Sequence, residues 1–232
     1  LPKHELVLIP GLVCDEKIWF NQVDHLGDIA NCTIPKVAGS DTISGLANEV
    51  LTSAPEYFAV AGFSMGGYVA LQMLRQAPNR ITRLALLDTS SRADAPEKKD
   101  ARLKTIGACE HGKFSEIIAD MLNVLLHPSR QKSDLARFVL KMADRVGPEA
   151  FIRRHKAIMS RRDSKDILQG CSVPVRVICG RQDAMSSVEE HADIAEFAPM
   201  GRLSIIEECG HMSPIESPYA TSALMRDWLI YN

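Results

Sequence analysis

Apolar residues fall along this chain in runs of two kinds, and the two kinds alternate. Short continuous runs closed by glycine, proline or aspartate read as strands buried on both faces: residues 5–9 (ELVLI), 57–61, 81–87 (ITRLALL), 173–179 (VPVRVIC) and 202–206, with a weaker candidate at 31–36. Between them, apolar residues recur at helical spacing over 42–52, 65–76, 188–197 and 216–230. In the first of these helices Leu46, Val50 and Leu51 share one face, and Ser40 or Asp41 is available as the amino-terminal cap. Near the start of the chain, Trp19, Phe20, Val23 and Leu26 read as one packed helical face. Strand, helix, strand in this order predicts a parallel sheet joined by right-handed crossovers. Strands running the same way deliver their following loops to one edge, and in open α/β sheets ligands bind there.

From residue 92 to about residue 169 the alternation stops, and the sequence becomes charged and helix-forming. Helices are predicted over 95–109, 113–126, 133–146 and 148–160, separated by His111-Gly112, His127-Pro128 and Gly147-Pro148. The chain is therefore divided into a core made of residues 1–91 and 170–232 and a helical cap insertion, residues 92–169, lying over the sheet edge. Methionines of the insertion, among them Met121, Met142 and Met159, are candidates for lining an apolar acyl pocket, since methionine fills irregular binding surfaces.

The strand at 57–61 runs into Gly62-Phe63-Ser64-Met65-Gly66-Gly67, where the apolar run breaks at a serine between glycines and resumes as a helix. Small neighbours let strand and helix approach closely, and a turn this sharp holds its central residue in a strained conformation with the hydroxyl exposed. The N–H of Met65, a free donor at the helix start, is then placed to stabilise an oxyanion formed when Ser64 attacks a carbonyl. The loop after the first strand lies at the same edge, so the N–H of Leu12 is the candidate second donor. Asp183 and His211 each follow a predicted strand, which brings them to that edge as base (His211) and orienting acid (Asp183). Asp88 also follows a strand and competes for the role of acid. The chain order Ser, Asp, His with a late acid favours Asp183, leaving Asp88 to cap the entry to the insertion.

A chain of 232 residues is large enough for one sizeable core. Its net charge of −2, with both signs mixed throughout, suggests neither a nucleic-acid surface nor a basic membrane patch, so a small-molecule ligand is expected. Six cysteines are scattered without CxxC pairs, which argues for reduced thiols in the cytoplasm and against a zinc site. No apolar run has the length of a membrane span, and no signal-peptide pattern opens the chain. It begins at Leu1 rather than a methionine, which leaves room for a removed upstream piece.

Together PGL at 10–12, GFSMGG at 62–67, GRQD at 180–183 and GHMSPIESP at 210–218 resemble the α/β-hydrolase superfamily over essentially the whole chain. More narrowly, the chain is similar to its small serine-nucleophile members, which include 3-oxoadipate enol-lactonases and carboxylesterases. The resemblance implies an α/β-hydrolase fold with nucleophile Ser64, acid Asp183, base His211 and backbone oxyanion donors Leu12 and Met65, working without cofactor or metal. Members usually carry His-Gly before the first oxyanion residue, where this chain has Pro10-Gly11. Their initial antiparallel hairpin has no counterpart here, so a sheet of about six mostly parallel strands is expected. The implied activity is cleavage of a small carboxylic ester or lactone through an acyl group on Ser64. The alternatives are a hydroxynitrile-lyase-like or carbon–carbon bond hydrolase reaction at the same residues, and a non-catalytic receptor for a small ligand.

Overall fold

The computed structural model describes residues 2–231. Six strands form one sheet: β1 His4–Ile9, β2 Ala30–Thr33, β3 Phe58–Phe63, β4 Ile81–Leu87, β5 Val175–Gly180 and β6 Gly201–Ile206. Their order is β2-β1-β3-β4-β5-β6, and every pairing is parallel, as the alternation of runs predicted. Parallel strands covered on both faces need side chains that are apolar throughout, and β3 is buried at every residue. Order reverses between β1 and β3, so the loops leaving those two strands diverge and open a crevice at their carboxyl ends.

The helices are α1 Phe20–Leu26, α2 Ile43–Ser53, α3 Met65–Gln76, α4 Pro96–Glu110, α5 Phe114–Leu125, α6 Asp134–Met159, α7 Lys165–Gln169, α8 Val188–Phe197, α9 Ser213–Glu216 and α10 Pro218–Ile230. In the core, α1 packs on α10, α2 on α3, and α8 on β5 and β6. The segment between β4 and β5 holds α4 to α7 and, among the described residues, no strand. Within α6 the backbone at Gly147 leaves helical geometry (φ 75°, ψ 165°) just before Pro148, which is the break expected between 146 and 148. All six cysteines are free thiols. No helix of the described residues is long and apolar enough to cross a membrane.

Several local expectations are corrected. Trp19 belongs to a 3-10 turn, Glu16–Trp19, and is fully buried, whereas Phe20 is 55% exposed, because adjacent helical residues point about 100° apart and the inward face is taken by Trp19, Gln22 and Leu26. The cap of α2 is Thr42, whose hydroxyl accepts from Gly45 N–H; Ser40 instead bonds Thr42. The expected terminal helix is divided at Ser217, because Pro218 cannot donate into the preceding turn and starts α10 in its place. Helix α7 lies beyond the four helices expected of the insertion.

Candidate active site

Ser64 is the residue on which β3 turns into α3, and its backbone (φ 53°, ψ −116°) lies in a region that side chains with a Cβ rarely adopt. Three hydrogen bonds hold it there: its N–H donates to Leu87 O at 2.9 Å, and its carbonyl accepts from Gly67 N–H at 2.9 Å and the Thr89 hydroxyl at 2.8 Å. The flanking glycines are required by close approach. A Cβ on Gly62 would sit 2.3 Å from Gly66 O, and one on Gly66 would sit 2.2 Å from Ile9 O. Backbone strain of this kind persists where the surroundings over-determine it.

The structure brings together the three side chains that the sequence singled out. Ser64 Oγ lies 2.9 Å from His211 Nε2, and His211 Nδ1 lies 2.9 Å from both carboxylate oxygens of Asp183. The Asp183 carboxylate is shielded from solvent and also accepts from the N–H groups of Met185 (2.8 Å) and Ser186 (3.1 Å). Burial alone would raise this carboxyl, but His211 and the two N–H donors outweigh it and hold it below the usual aspartate value. Burial of His211 disfavours its charged form. The neighbouring carboxylates, Asp183 foremost, more than compensate and raise the imidazole above the usual histidine value. The residue is further fixed by its backbone N–H, which donates to Leu125 O at the end of α5 (3.1 Å), and its ring by Phe63 with ring centres 5.5 Å apart.

Asp88 makes no bond to His211. It is fully buried with φ 47°, and it accepts from Gly180 N–H at 3.1 Å, Ser213 N–H at 3.2 Å and the Ser213 hydroxyl at 2.5 Å. Burial, and then the charge of Asp183, push its carboxyl well above the ordinary value. Its expected role as a cap at the entry to the insertion is not what it performs, since α4 starts from Ala95 without a side-chain cap. Asp88 instead ties the ends of β4 and β5 to the loop carrying His211.

The N–H groups of Leu12 and Met65 have no acceptor among the described residues. Met65 is the first residue of α3, so its donor is free by helix geometry. The loop bearing Leu12 is held by a residue that the sequence reading missed. Arg154 on α6 is 5% exposed; its Nη1 donates to the carbonyls of Gly11 (3.2 Å), Leu12 (2.7 Å) and Cys14 (3.0 Å), and its Nε donates to Val37 O at 3.0 Å. Burial holds its pKa below the usual arginine value. The sequence signal was spacing: Arg154 stands three residues after Phe151 and four before Ile158, on the helical face of those apolar residues. Arg154→Met is expected to leave those carbonyls unpaired, lowering stability by about 2–3 kcal/mol. It should also lower kcat for ester cleavage by up to about 100-fold, the scale of a lost oxyanion donor. Urea unfolding and steady-state kinetics on p-nitrophenyl acetate check the two effects, and Arg154→Lys is expected to recover part of each.

Two adjoining cavities open beside Ser64 and His211. One, about 30 Å³, is lined mostly by apolar groups, among them Leu12, Val13, Phe63, Leu125 and Ile158; the other, about 320 Å³, extends along α4 and α5. Met121 lines both, as the methionine expectation allowed. Met142 is fully buried and lines neither cavity, nor does Met159; Met185 and Met212, from the loops carrying Asp183 and His211, line the site instead.

A six-stranded parallel sheet whose strand ends present a serine at a strained strand-to-helix turn, hydrogen-bonded to a histidine and through it to an aspartate, defines a class of α/β enzymes with a serine site. The alpha/beta hydrolase fold family model matches residues 51–218, and the chain belongs to that family. Its relatives include the pimeloyl-[acyl-carrier protein] methyl ester esterases of Nitrosomonas europaea, 22% identical over 92% of this chain and 91% of the relative, and of Aromatoleum aromaticum, 23% identical over 97% and 98%. Among solved structures it is similar to a thermophilic esterase from Thermogutta terrifontis, with TM-score 0.88, 26% identity and coverage of 98% of this chain and 90% of that one. The enol-lactonase from Burkholderia xenovorans also superposes with TM-score 0.88, over 99% and 92% of the two chains. At 20% identity that likeness is one of fold.

Proposed function

We propose that the chain is a serine hydrolase that cleaves a small carboxylic ester or lactone through an acyl group carried on Ser64. The observation that carries this reading is the unbroken hydrogen-bond chain from Ser64 Oγ through His211 to Asp183, each link 2.9 Å. His211 Nε2 takes the Ser64 proton as Oγ attacks the carbonyl carbon, and the carbonyl oxygen becomes an oxyanion facing the N–H groups of Leu12 and Met65. When the tetrahedral intermediate collapses, the carbon–oxygen bond to the alcohol breaks, and His211 gives its proton to the departing alkoxide. A water molecule, deprotonated by His211, then attacks the acyl carbon. Collapse of this second intermediate frees the carboxylic acid and returns the proton to Ser64. Asp183 holds the imidazole with its proton on Nδ1 and stabilises the imidazolium.

The esterase names of the relatives support ester cleavage as the reaction. Residues 92–169 act in this reading as a cap, since α4, α5 and α6 all contribute lining residues next to Ser64. Six free thiols suit a reducing compartment such as the cytoplasm. The test is intact mass after treatment with a small sulfonyl fluoride or organophosphate. One adduct on the wild type and none on Ser64→Ala is the expected result. No adduct on folded protein, with the reagent active on a control esterase, overturns the reading in favour of lyase chemistry or ligand binding without turnover.

A further inference from the structure

Beside Ser64 the site holds an arginine that the reaction above leaves unused. Arg102, on α4, lines both cavities that Ser64 and His211 line. Its Nε donates to Asp94 Oδ2 at 2.7 Å, and its Nη1 lies 3.4 Å from His155 Nδ1. A guanidinium only donates, so His155 accepts at Nδ1 and carries its own proton on Nε2. Burial, and then the charge of Arg102, push His155 down to about 3, so the ring is neutral at any working pH. Asp94 is itself buried and is shared, its Oδ1 lying 2.9 Å from Arg161 Nη2. Arg102 is thus anchored along one edge by two buried partners. Its Nη2 has no acceptor among the described residues, and its side chain keeps 18% of its exposure.

The charges around the larger cavity do not cancel. Lys98, Arg102 and Arg161 line it, and the acid lining it is Glu190, which already accepts from Ser187 N–H and the Ser90 hydroxyl. With Asp94 behind the two arginines, a cation is left over in a half-enclosed space next to the nucleophile. Guanidinium forks of this kind match a carboxylate, and a pre-anchored one loses little conformational freedom on binding it.

We propose that Arg102, held by Asp94 and His155, receives a carboxylate on the substrate, so that the preferred ester or lactone is anionic, as in the monoester of a dicarboxylic acid. This rests on the ester-hydrolase reading of Ser64. A purely structural role for the Asp94 cluster, tying the start of α4 to the end of α6, would affect charged and neutral substrates alike; a binding role would not.

The experiment compares kcat/KM for matched pairs, the monomethyl and dimethyl esters of C4 to C7 dicarboxylic acids and acetate esters of alcohols with and without a carboxylate, in wild type, Arg102→Met and Arg102→Lys. Wild type is expected to favour the anionic member of a pair, and the advantage to fall by roughly 10- to 150-fold in Arg102→Met, the scale of a hydrogen bond to a charged group. KM is expected to carry most of that change, and Arg102→Lys to restore part of it. Whether the charge is read on the acyl or the alcohol side follows from which pair shows the effect. An equal ratio in all three proteins, or a wild-type preference unchanged in Arg102→Met, overturns the proposal. Calorimetric binding of adipate to wild type and Arg102→Met decides the matter independently. If no ester is turned over, the hydrolase reading falls; the carboxylate site then stands if adipate binds wild type and not the variant, and falls if binding is absent or unchanged.

Discussion

Ser64→Ala is expected to lower kcat for ester cleavage on the order of a million-fold, the loss met when a serine triad is deprived of its nucleophile. Residual turnover would come from the Leu12 and Met65 donors and from binding. The same position carries a second prediction in stability, because the Cβ of Ser64 is held at φ 53°, ψ −116° by bonds to Leu87, Gly67 and Thr89. Ser64→Ala keeps that Cβ and keeps the strain, whereas Ser64→Gly removes both. Strain in such a region costs about 1–3 kcal/mol, and glycine's extra chain entropy offsets about 0.5–1 of it. Ser64→Gly is therefore expected to exceed Ser64→Ala by about 1 kcal/mol, or about 2–4 °C in Tm for a chain of this size. Both variants lack the hydroxyl, so the lost bond to His211 cancels between them. If the glycine variant melts no higher than the alanine variant, the elbow stores no strain and its geometry serves only to expose Oγ.

What could be read from the sequence was whatever a local pattern records. Helix α3 begins and ends at the expected residues because both limits are local events, the glycine-flanked turn at Ser64 and the approach to Pro78. Parallel strands leave a comparable record, since burial on both faces makes β3 and β4 nearly continuous apolar runs. Ser64, His211 and Asp183 were found because each follows such a run, and parallel order then forces them to one edge. Arg154 and Arg102 carry no such mark. Arg154 meets its carbonyl partners across about 140 positions, and Arg102 meets His155 across 53, so their function is set by how α4 and α6 pack rather than by neighbours in the chain. Asp88 and Asp183 look alike in sequence, each an acid just past a strand. Chain order favours Asp183, and the packing of His211 against the loop after β5 separates them in space, with Nδ1 2.9 Å from both Asp183 oxygens.

Asp183→Asn puts that separation to the test, and it is expected to lower kcat about 10⁴-fold without unfolding the protein. The N–H groups of Met185 and Ser186 both donate to Oδ1, so the amide oxygen of the variant must occupy that position and its NH2 must face His211. An amide N–H donating to Nδ1 forces the imidazole proton onto Nε2, which can then no longer accept a proton from Ser64. Asp88→Asn leaves Nδ1 facing Asp183 and is expected to lose far less activity, although its Ser213 contacts and hence its stability suffer. The pH dependence carries the same information. Wild-type kcat/KM should rise through an apparent pKa above 6.5, because only neutral His211 acts as base and the carboxylates raise its pKa. In Asp183→Asn, burial acts on the imidazole without its main opponent, so the midpoint of the residual activity should move to lower pH. Stability follows by linkage. The raised His211 stabilises fully below its unfolded value of 6.5 and loses this as pH climbs through its folded value. The lowered Asp183 stabilises above 3.8 and loses this as pH falls through its folded value. Both contributions are complete between pH 3.8 and 6.5, so unfolding free energies of wild type and variant should differ most in that window and converge outside it. A difference that stays flat from pH 3 to 9 would mean that the pair is not ionised in the folded protein, and Asp88 would then return as the acid to be explained.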